Sequence, residues 1–238
     1  TLASGGTLGI GHTNGIVASG TASGNIQTTG GRTYSSGANY VFKGTAAQVT
    51  SNGLPTTVNS LTISNTAATV TLSQVTTNTT SVTIASGAKL GLPSGTSTTP
   101  TLVIAGVTKA SGSWGNTGSG ATHIDSTHFQ ATGLLNVTTG VPSTTTLTRH
   151  TGTDTPSTYG DTLTFDVSVS GAAPTGTVIL MDGGTGGTPI GTNTLSSGTN
   201  TIMAVVTGLT AGTHDNIVAV YNGDDNNNDS TSSALSSQ

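Results

Sequence analysis

The sequence predicts an all-β protein in two parts: an N-terminal β-solenoid, parallel and β-helix-like, over residues 1–140, and an antiparallel β-sandwich over 141–238. Three observations predict it. Apolar pairs spaced by two residues recur every 20 or 21 positions in the first part. Strict alternation of apolar and polar residues replaces that period after Pro142. The charge balance changes sign at the same place.

Residues 1–140 carry Arg32, Lys43, Lys89 and Lys109 against Asp125, a net charge of +3, while residues 141–238 carry Arg149 against eight aspartates, a net charge of −7. The boundary falls at Gly140-Val141-Pro142, where a proline also interrupts any continuing strand. The few cations form no cluster interleaved with aromatics, which argues against a nucleic-acid surface. Only 6% of residues are charged, so Thr, Ser, Asn and Gly must solubilise the chain. Disorder needs low hydrophobicity together with high net charge. Here the net charge is −4, and Val, Ile, Leu and Thr recur in short regular runs. Without cysteine the chain has no disulfide and no thiolate chemistry, and no apolar run approaches the ~18 residues of a membrane span. The opening at Thr1, without an initiator Met or a signal sequence, reads as a processed or excised segment. The cysteine-free, charge-poor profile points to an extracellular or cell-surface location in a bacterium.

The repeat of the first part is carried by Tyr40 and Phe42, Leu61 and Ile63, Val82 and Ile84, and Leu102 and Ile104. Each pair is a β-type alternation, and in a solenoid each coil places one inward side chain over its equivalent in the next. A second register runs through Val49, then Val70 and Leu72, then Leu90 and Leu92. Ser51-Asn52-Gly53 and Ala85-Ser86-Gly87 supply corner residues. At about 21 residues per coil this predicts about six or seven coils, a stack of roughly 30 Å at the ~4.8 Å strand spacing. Before Tyr40, the apolar residues Leu8, Ile10, Ile16, Val17 and Ile26 fall out of register, as a cap or as degenerate coils. A second antiparallel sandwich is the alternative, because short strands with turns between them read that way too.

In the second part Leu163, Phe165, Val167 and Val169 alternate with Thr164, Asp166 and Ser168, a half-buried antiparallel strand. Further strands are expected at Val178 to Met181, Ile202 to Val206 and Ile217 to Tyr221, with turns at Asp182-Gly183-Gly184 and Gly186-Gly187. This rhythm fits an immunoglobulin-type sandwich, many of which lack the disulfide.

Two resemblances accompany these patterns. The stretch Ala38 to Leu92 and the segments Lys109-Ala110-Ser111-Gly112-Ser113-Trp114-Gly115, His123-Ile124-Asp125, His128-Phe129 and Gly133-Leu134-Leu135-Asn136-Val137 resemble the β-strand-repeat regions of bacterial surface and autotransporter-like proteins. Five segments of the second part resemble bacterial Ig-like repeat domains: Thr144-Thr145-Thr146-Leu147-Thr148, Tyr159 to Phe165, Pro174-Thr175-Gly176-Thr177-Val178, Ala211-Gly212-Thr213-His214, and Ala219 to Asp224. The run Asn226-Asn227-Asn228 departs from that pattern, which more often places an aromatic after Gly-Asp. The resemblances imply an exterior location and a structural role, without a reaction.

Catalysis needs positioned acids, bases or nucleophiles, and the chain has no Glu and no Cys, with Asp125 the one carboxylate of residues 1–140. A glycosidase needs two carboxyl groups flanking one bond. No enzyme activity and no cofactor are therefore expected. His123, Asp125 and His128 form a polar cluster that lacks a fourth metal ligand. Asp224, Asp225 and Asp229 are weak candidates for an oxygen-ligand calcium loop, but their spacing is not that of an EF-hand. Trp114, flanked by Gly112 and Gly115, is read as packing, with glycan stacking as the alternative. Sequons at Asn78, Asn136 and Asn228 are commonplace in so Thr-rich a chain.

The expected function is an extracellular structural protein: a scaffold, an adhesive stalk or a filament subunit assembled by strand addition. A carbohydrate-binding module is the alternative, and a polysaccharide-degrading enzyme comes third. Residues 1–30 carry no charge that would defend an open strand edge, and the two parts bear opposite charge. A homo-polymer built by head-to-tail contacts is the expected partner arrangement, with surface glycans as possible ligands.

Overall fold

A parallel ladder needs side chains of like character at matching positions of successive strands, and the 21-residue spacing supplies them. In the computed structural model, which describes residues 1–18, 22–150, 158–196, 201–206 and 209–235, the chain divides into two compact units, Thr1–Gly140 and Val141–Gln238. Every regular element among the described residues is a strand. The first unit holds β1 (Thr7–Ile10), β2 (Asn39–Phe42), β3 (Gln48–Val49), β4 (Thr57–Ile63), β5 (Thr69–Thr71), β6 (Thr77–Ile84) and β7 (Lys89–Gly91). It continues with β8 (Thr96–Thr99), β9 (Thr101–Ile104), β10 (Val107–Thr108), β11 (Gly112–Gly115), β12 (His123–Ile124), β13 (Phe129–Gln130) and β14 (Leu134–Val137).

Strands β2, β4, β6 and β9 pair in parallel, with Tyr40 beside Leu61, Leu61 beside Val82 and Val82 beside Leu102. Phe42, Ile63, Ile84 and Ile104 form the adjoining column by the same register. All eight side chains are buried in one hydrophobic core. β1 joins the same sheet, pairing Leu8 with Tyr40 and Ile10 with Phe42. Its offset from β2 is 32 residues rather than 21, so Leu8 and Ile10, which look unregistered in the sequence, are in register in space, while Ile16, Val17 and Ile26 lie outside the ladder.

A second parallel sheet runs β3-β5-β7-β13, and its inward column is Gln48, Val70, Leu90 and Phe129. Here the expected register is corrected by one residue. Gln48, not Val49, stands beside Val70, and Val49 is exposed. The buried amide is fully used: Gln48 Oε1 accepts the Gly44 N–H at 2.9 Å and an Asn65 Nδ2 hydrogen at 3.1 Å, while Nε2 donates to the carbonyls of Ile10 and His12. Four hydrogen bonds offset the desolvation that an orphaned buried amide would suffer.

Outside the core, an amide and hydroxyl ladder takes the place of charges. Asn59 Nδ2 and Ser60 Oγ both donate to Asn39 Oδ1 at 2.7 Å, and Thr80 Oγ1 donates to Asn59 Oδ1 at 2.7 Å.

The parallel stacking does not continue to residue 140. Ala105 and Gly106, both at positive φ, make a two-residue turn that sends β10 back antiparallel to β9. β11 is antiparallel to β14 and parallel to β12, while β14 returns parallel to β8. Residues 107–137 therefore form an end piece of mixed direction, and the parallel pairing does not extend over the six or seven coils expected.

The second unit holds β15 (Thr144–Arg149), β16 (Leu163–Ser170), β17 (Gly176–Asp182), β18 (Thr188–Leu195), β19 (Thr201–Val206), β20 (Val218–Tyr221) and β21 (Ser230–Thr231). Two antiparallel sheets, β15-β16-β19 and β18-β17-β20-β21, enclose a core that includes Phe165, Val167, Val178, Leu180 and Tyr221. This arrangement is consistent with an Ig-like β-sandwich. β18 has no counterpart among the strands expected from sequence. It is an edge strand with a Pro at its second position and little burial, so the alternation signal is missing.

The columns predict a sharp contrast between neighbours. Ile84 is fully buried and Thr83 points outward. Ile84→Asp should cost at least ~3 kcal/mol by burying an unpaired carboxylate, whereas Thr83→Asp should cost under about 1 kcal/mol. Denaturant melts of both variants check this, and equal losses would refute the inward assignment.

Candidate functional site

The cluster at Trp114 is structural. Parallel pairing of β11 with β12 places Trp114 beside His123, and the two rings stack at 4.5 Å between centroids and 15° between planes. The indole N–H donates to the Ala110 carbonyl at 3.1 Å, and Lys109 Nζ lies 5.9 Å from the ring centroid. Trp114 is 1% exposed, so its ring offers no face on which a sugar could stack. This corrects the glycan-stacking alternative. The three polar residues near it do not converge. His123 stays with Trp114, while Asp125 closes a turn by accepting the N–H groups of Thr127 and His128 and by pairing with His128 Nδ1 at 2.8 Å. Asn78 is also buried, with its amide donating to the Thr98 carbonyl, so that sequon is inaccessible.

Asp224 is the centre of a loop lock. Oδ2 accepts the Thr175 N–H at 2.7 Å and the Thr175 hydroxyl at 2.9 Å. Oδ1 accepts the N–H groups of Asn226 and Asn227 at 2.7 Å and the Asn227 side-chain amide at 2.9 Å. Burial works to raise its pKa, but the hydrogen bonds from Asn226, Thr175 and Asn227 outweigh it and hold the carboxyl below its usual range. Asn227, inside the asparagine run that departs from the Ig-like repeat pattern, is itself buried. It exchanges hydrogen bonds with both the N–H and the carbonyl of Ala172. Asp225 and Asp229 are exposed, and no group of three His or Asp side chains that could hold a metal ion occurs among the described residues.

Reasoning from sequence missed the region around His214. His214 Nδ1 lies 2.7 Å from Asp182 Oδ2, and Nε2 lies 2.8 Å from the Thr210 carbonyl. Both ring nitrogens face acceptors, so only the imidazolium satisfies both. The Thr210 carbonyl and then the Asp182 carboxylate raise the His214 pKa above its usual 6.5. The pair was not legible because it depends on register: β17 pairs antiparallel with β20, which brings the end of β17 to the loop before β20. Beside it, Tyr159 projects from the turn Thr158–Asp161. In that turn the Asp161 N–H donates to the Thr158 carbonyl, and the Asp161 carboxylate accepts the Thr158 N–H at 2.7 Å.

At the other end of the described chain, β1 is the edge strand of its sheet. The carbonyls of Gly6 and Ile10 accept N–H groups from Asn39 and Lys43, so the intervening Thr7 and Gly9 turn their backbone groups away from β2. Asn25 covers part of this edge: its Oδ1 accepts the Gly11 N–H at 2.9 Å and its Nδ2 donates to the Gly9 carbonyl at 3.1 Å. Arg32 holds the same loop by donating to the carbonyls of Val17, Ala18 and Thr28.

The two sheets of the second unit and the loops that lock their ends invite comparison with known families. Residues 150–238 match the family model of the bacterial Ig-like domain (group 3). The match starts just after β15 and supports the Ig-like reading of the second unit. Bacterial Ig-like domains of this group are typically non-enzymatic, and they suggest a surface or extracellular protein in general. No curated protein and no solved structure matches the chain.

Two expectations follow. The Asp224 lock is made by the chain itself, so thermal unfolding with and without EDTA should coincide, while Asp224→Ala should lower stability by ~1–3 kcal/mol. A melting temperature that falls on chelation would assign the loop to a cation instead. The His214 bridge contributes fully below the unfolded pKa near 6.5 and is lost as pH rises through the raised folded value. The difference in melting temperature between the native chain and His214→Ala should therefore shrink with increasing pH above 6.5. A pH-independent difference would refute it.

Proposed function

We propose that the protein is a non-enzymatic structural component of the bacterial exterior, in which a β-solenoid carrying an Ig-like domain serves as scaffold and as subunit of a filament. The observation that carries this reading is the asymmetry of the first unit. Its parallel strands end in an edge at β1 that is only partly covered, while residues 107–137 fold back with antiparallel strands at the other side of the stack. An open parallel edge is a template for strand addition from another copy. A head-to-tail contact of this kind, repeated without closure, generates a filament. The opposite charges of the two parts, +3 and −7, favour such an encounter at low ionic strength. The family match of the second unit supports the exterior location. The carbohydrate-binding alternative loses its original carrier, since Trp114 is buried.

The edge chemistry supplies the test. Deleting residues 1–30 would strip Ile10 and Ile16 from the core, so point variants are the cleaner probes. Gly9→Pro removes an N–H that faces away from β2 and should leave a folded monomer. Asn25→Ala uncovers the Gly9 carbonyl and the Gly11 N–H and should promote assembly. Light scattering and electron microscopy of the intact chain at high concentration and low salt should show polymers. A native chain that stays monomeric, with Asn25→Ala equally monomeric, overturns the filament.

A further inference from the structure

Among the exposed large apolar side chains Tyr159 stands apart: it is 75% exposed, whereas Val49, Val75, Val107 and Ile124 are between 41% and 49%. An aromatic ring left in water is ordinarily tolerated only singly and without design around it. Here the ring is mounted on a rigid base. The Thr158–Asp161 turn has Gly160 at its third position with φ +95°, as a type II turn requires, and two hydrogen bonds between Thr158 and Asp161 close it.

The ring stands at a cleft of about 160 Å³ whose other lip is the loop containing Leu209 to Gly212. That lip is fixed as well, because His214 ties the Thr210 carbonyl to Asp182. Leu163 and Leu209 contribute apolar surface, while Asp161 and the hydroxyls of Thr158 and Thr210 contribute polar groups. Among the described residues no Lys or Arg lines the cleft, so a phosphate or sulfate finds no cationic side chain there except His214, whose ring is already committed. The volume falls well below the ~300–1,000 Å³ of drug-sized ligand sites, which limits the occupant to about one ring.

We propose that this cleft is a saccharide subsite, in which Tyr159 stacks on the apolar face of one neutral pyranose ring while Asp161 and the threonine hydroxyls bind its hydroxyl groups. An aromatic platform with polar groups at its side suits a ligand that is apolar on one face and hydroxylated at its rim. Both lips are held by hydrogen bonds before the ligand arrives, so little ordering opposes binding. For one ring the affinity is expected on the order of millimolar. The subsite goes beyond the scaffold reading and does not depend on assembly.

The test is an amide-resolved NMR titration of the full Gly9→Pro chain with the methyl glycosides of glucose, galactose, mannose and N-acetylglucosamine at tens of millimolar. At least one glycoside should shift the amides of Tyr159, Gly160, Thr210 and Gly212. Tyr159→Ala should weaken that binding by tenfold or more, and Tyr159→Phe, which keeps the stacking face, should retain it. Melting temperatures of both variants should stay close to that of the parent, since the side chain is largely in solvent. Failure of all four glycosides to shift these amides, or binding undiminished in Tyr159→Ala, would each overturn the subsite. None of these outcomes bears on whether the unblocked chain polymerises.

Discussion

In a stack of parallel strands each inward side chain rests on its equivalent one strand away, and this columnar constraint governs the first unit. A column cannot be partly apolar without consequence, because a misfit in one strand is felt by both neighbours. The columns through Tyr40 and Phe42 satisfy the constraint with hydrocarbon and aromatic surface throughout. The column through Val70 meets Gln48 instead, and the fold accommodates it by surrounding the amide with four partners from three different stretches of chain. Gln48 thereby joins the end of β1, its own turn and Asn65, so a residue that is polar by composition acts as a fastener between separate stretches of chain.

The same economy of charge extends through both units. Asn39, Asn59 and Thr80 link successive parallel strands on the outside, and Asp224 with Asn227 draws together loops of the second unit. The neutral bonds of Asn39, Asn59 and Thr80 are individually worth only about 0.5–1.5 kcal/mol net and those to the Asp224 carboxylate about 1.5–3 kcal/mol, and the neutral ones are less sensitive to salt than exposed ion pairs. The described residues include three His–Asp contacts, at His128, His150 and His214, and each becomes a full ion pair only when the imidazole is protonated.

Much of the architecture was legible because it is periodic. The columns from Tyr40 to Ile104 repeat at a nearly constant interval, and the alternation in β16 marks its inward face directly. What escaped was aperiodic or dependent on register. β1 was hidden by its longer separation from β2, the Gln48 column by the expectation that every inward residue is apolar, and β18 by its solvation as an edge. Of the candidate sites, Trp114 and Asp224 were picked out by residue type, but type alone does not distinguish a packed ring from an open one. The pairing of His214 with Asp182 spans 32 residues and follows from the antiparallel return of β20, which no local pattern announces.

The lengthened connection between β1 and β2 has a practical side. The ladder tolerates an interval of 32 residues between paired strands where its neighbours use about 21, with Leu8 and Ile10 still paired with Tyr40 and Phe42. A corner that has already absorbed extra sequence without disturbing the columns is a natural graft point: foreign peptides placed there would be displayed from a rigid backbone, and the scaffold could diversify by insertion while its interior stays fixed.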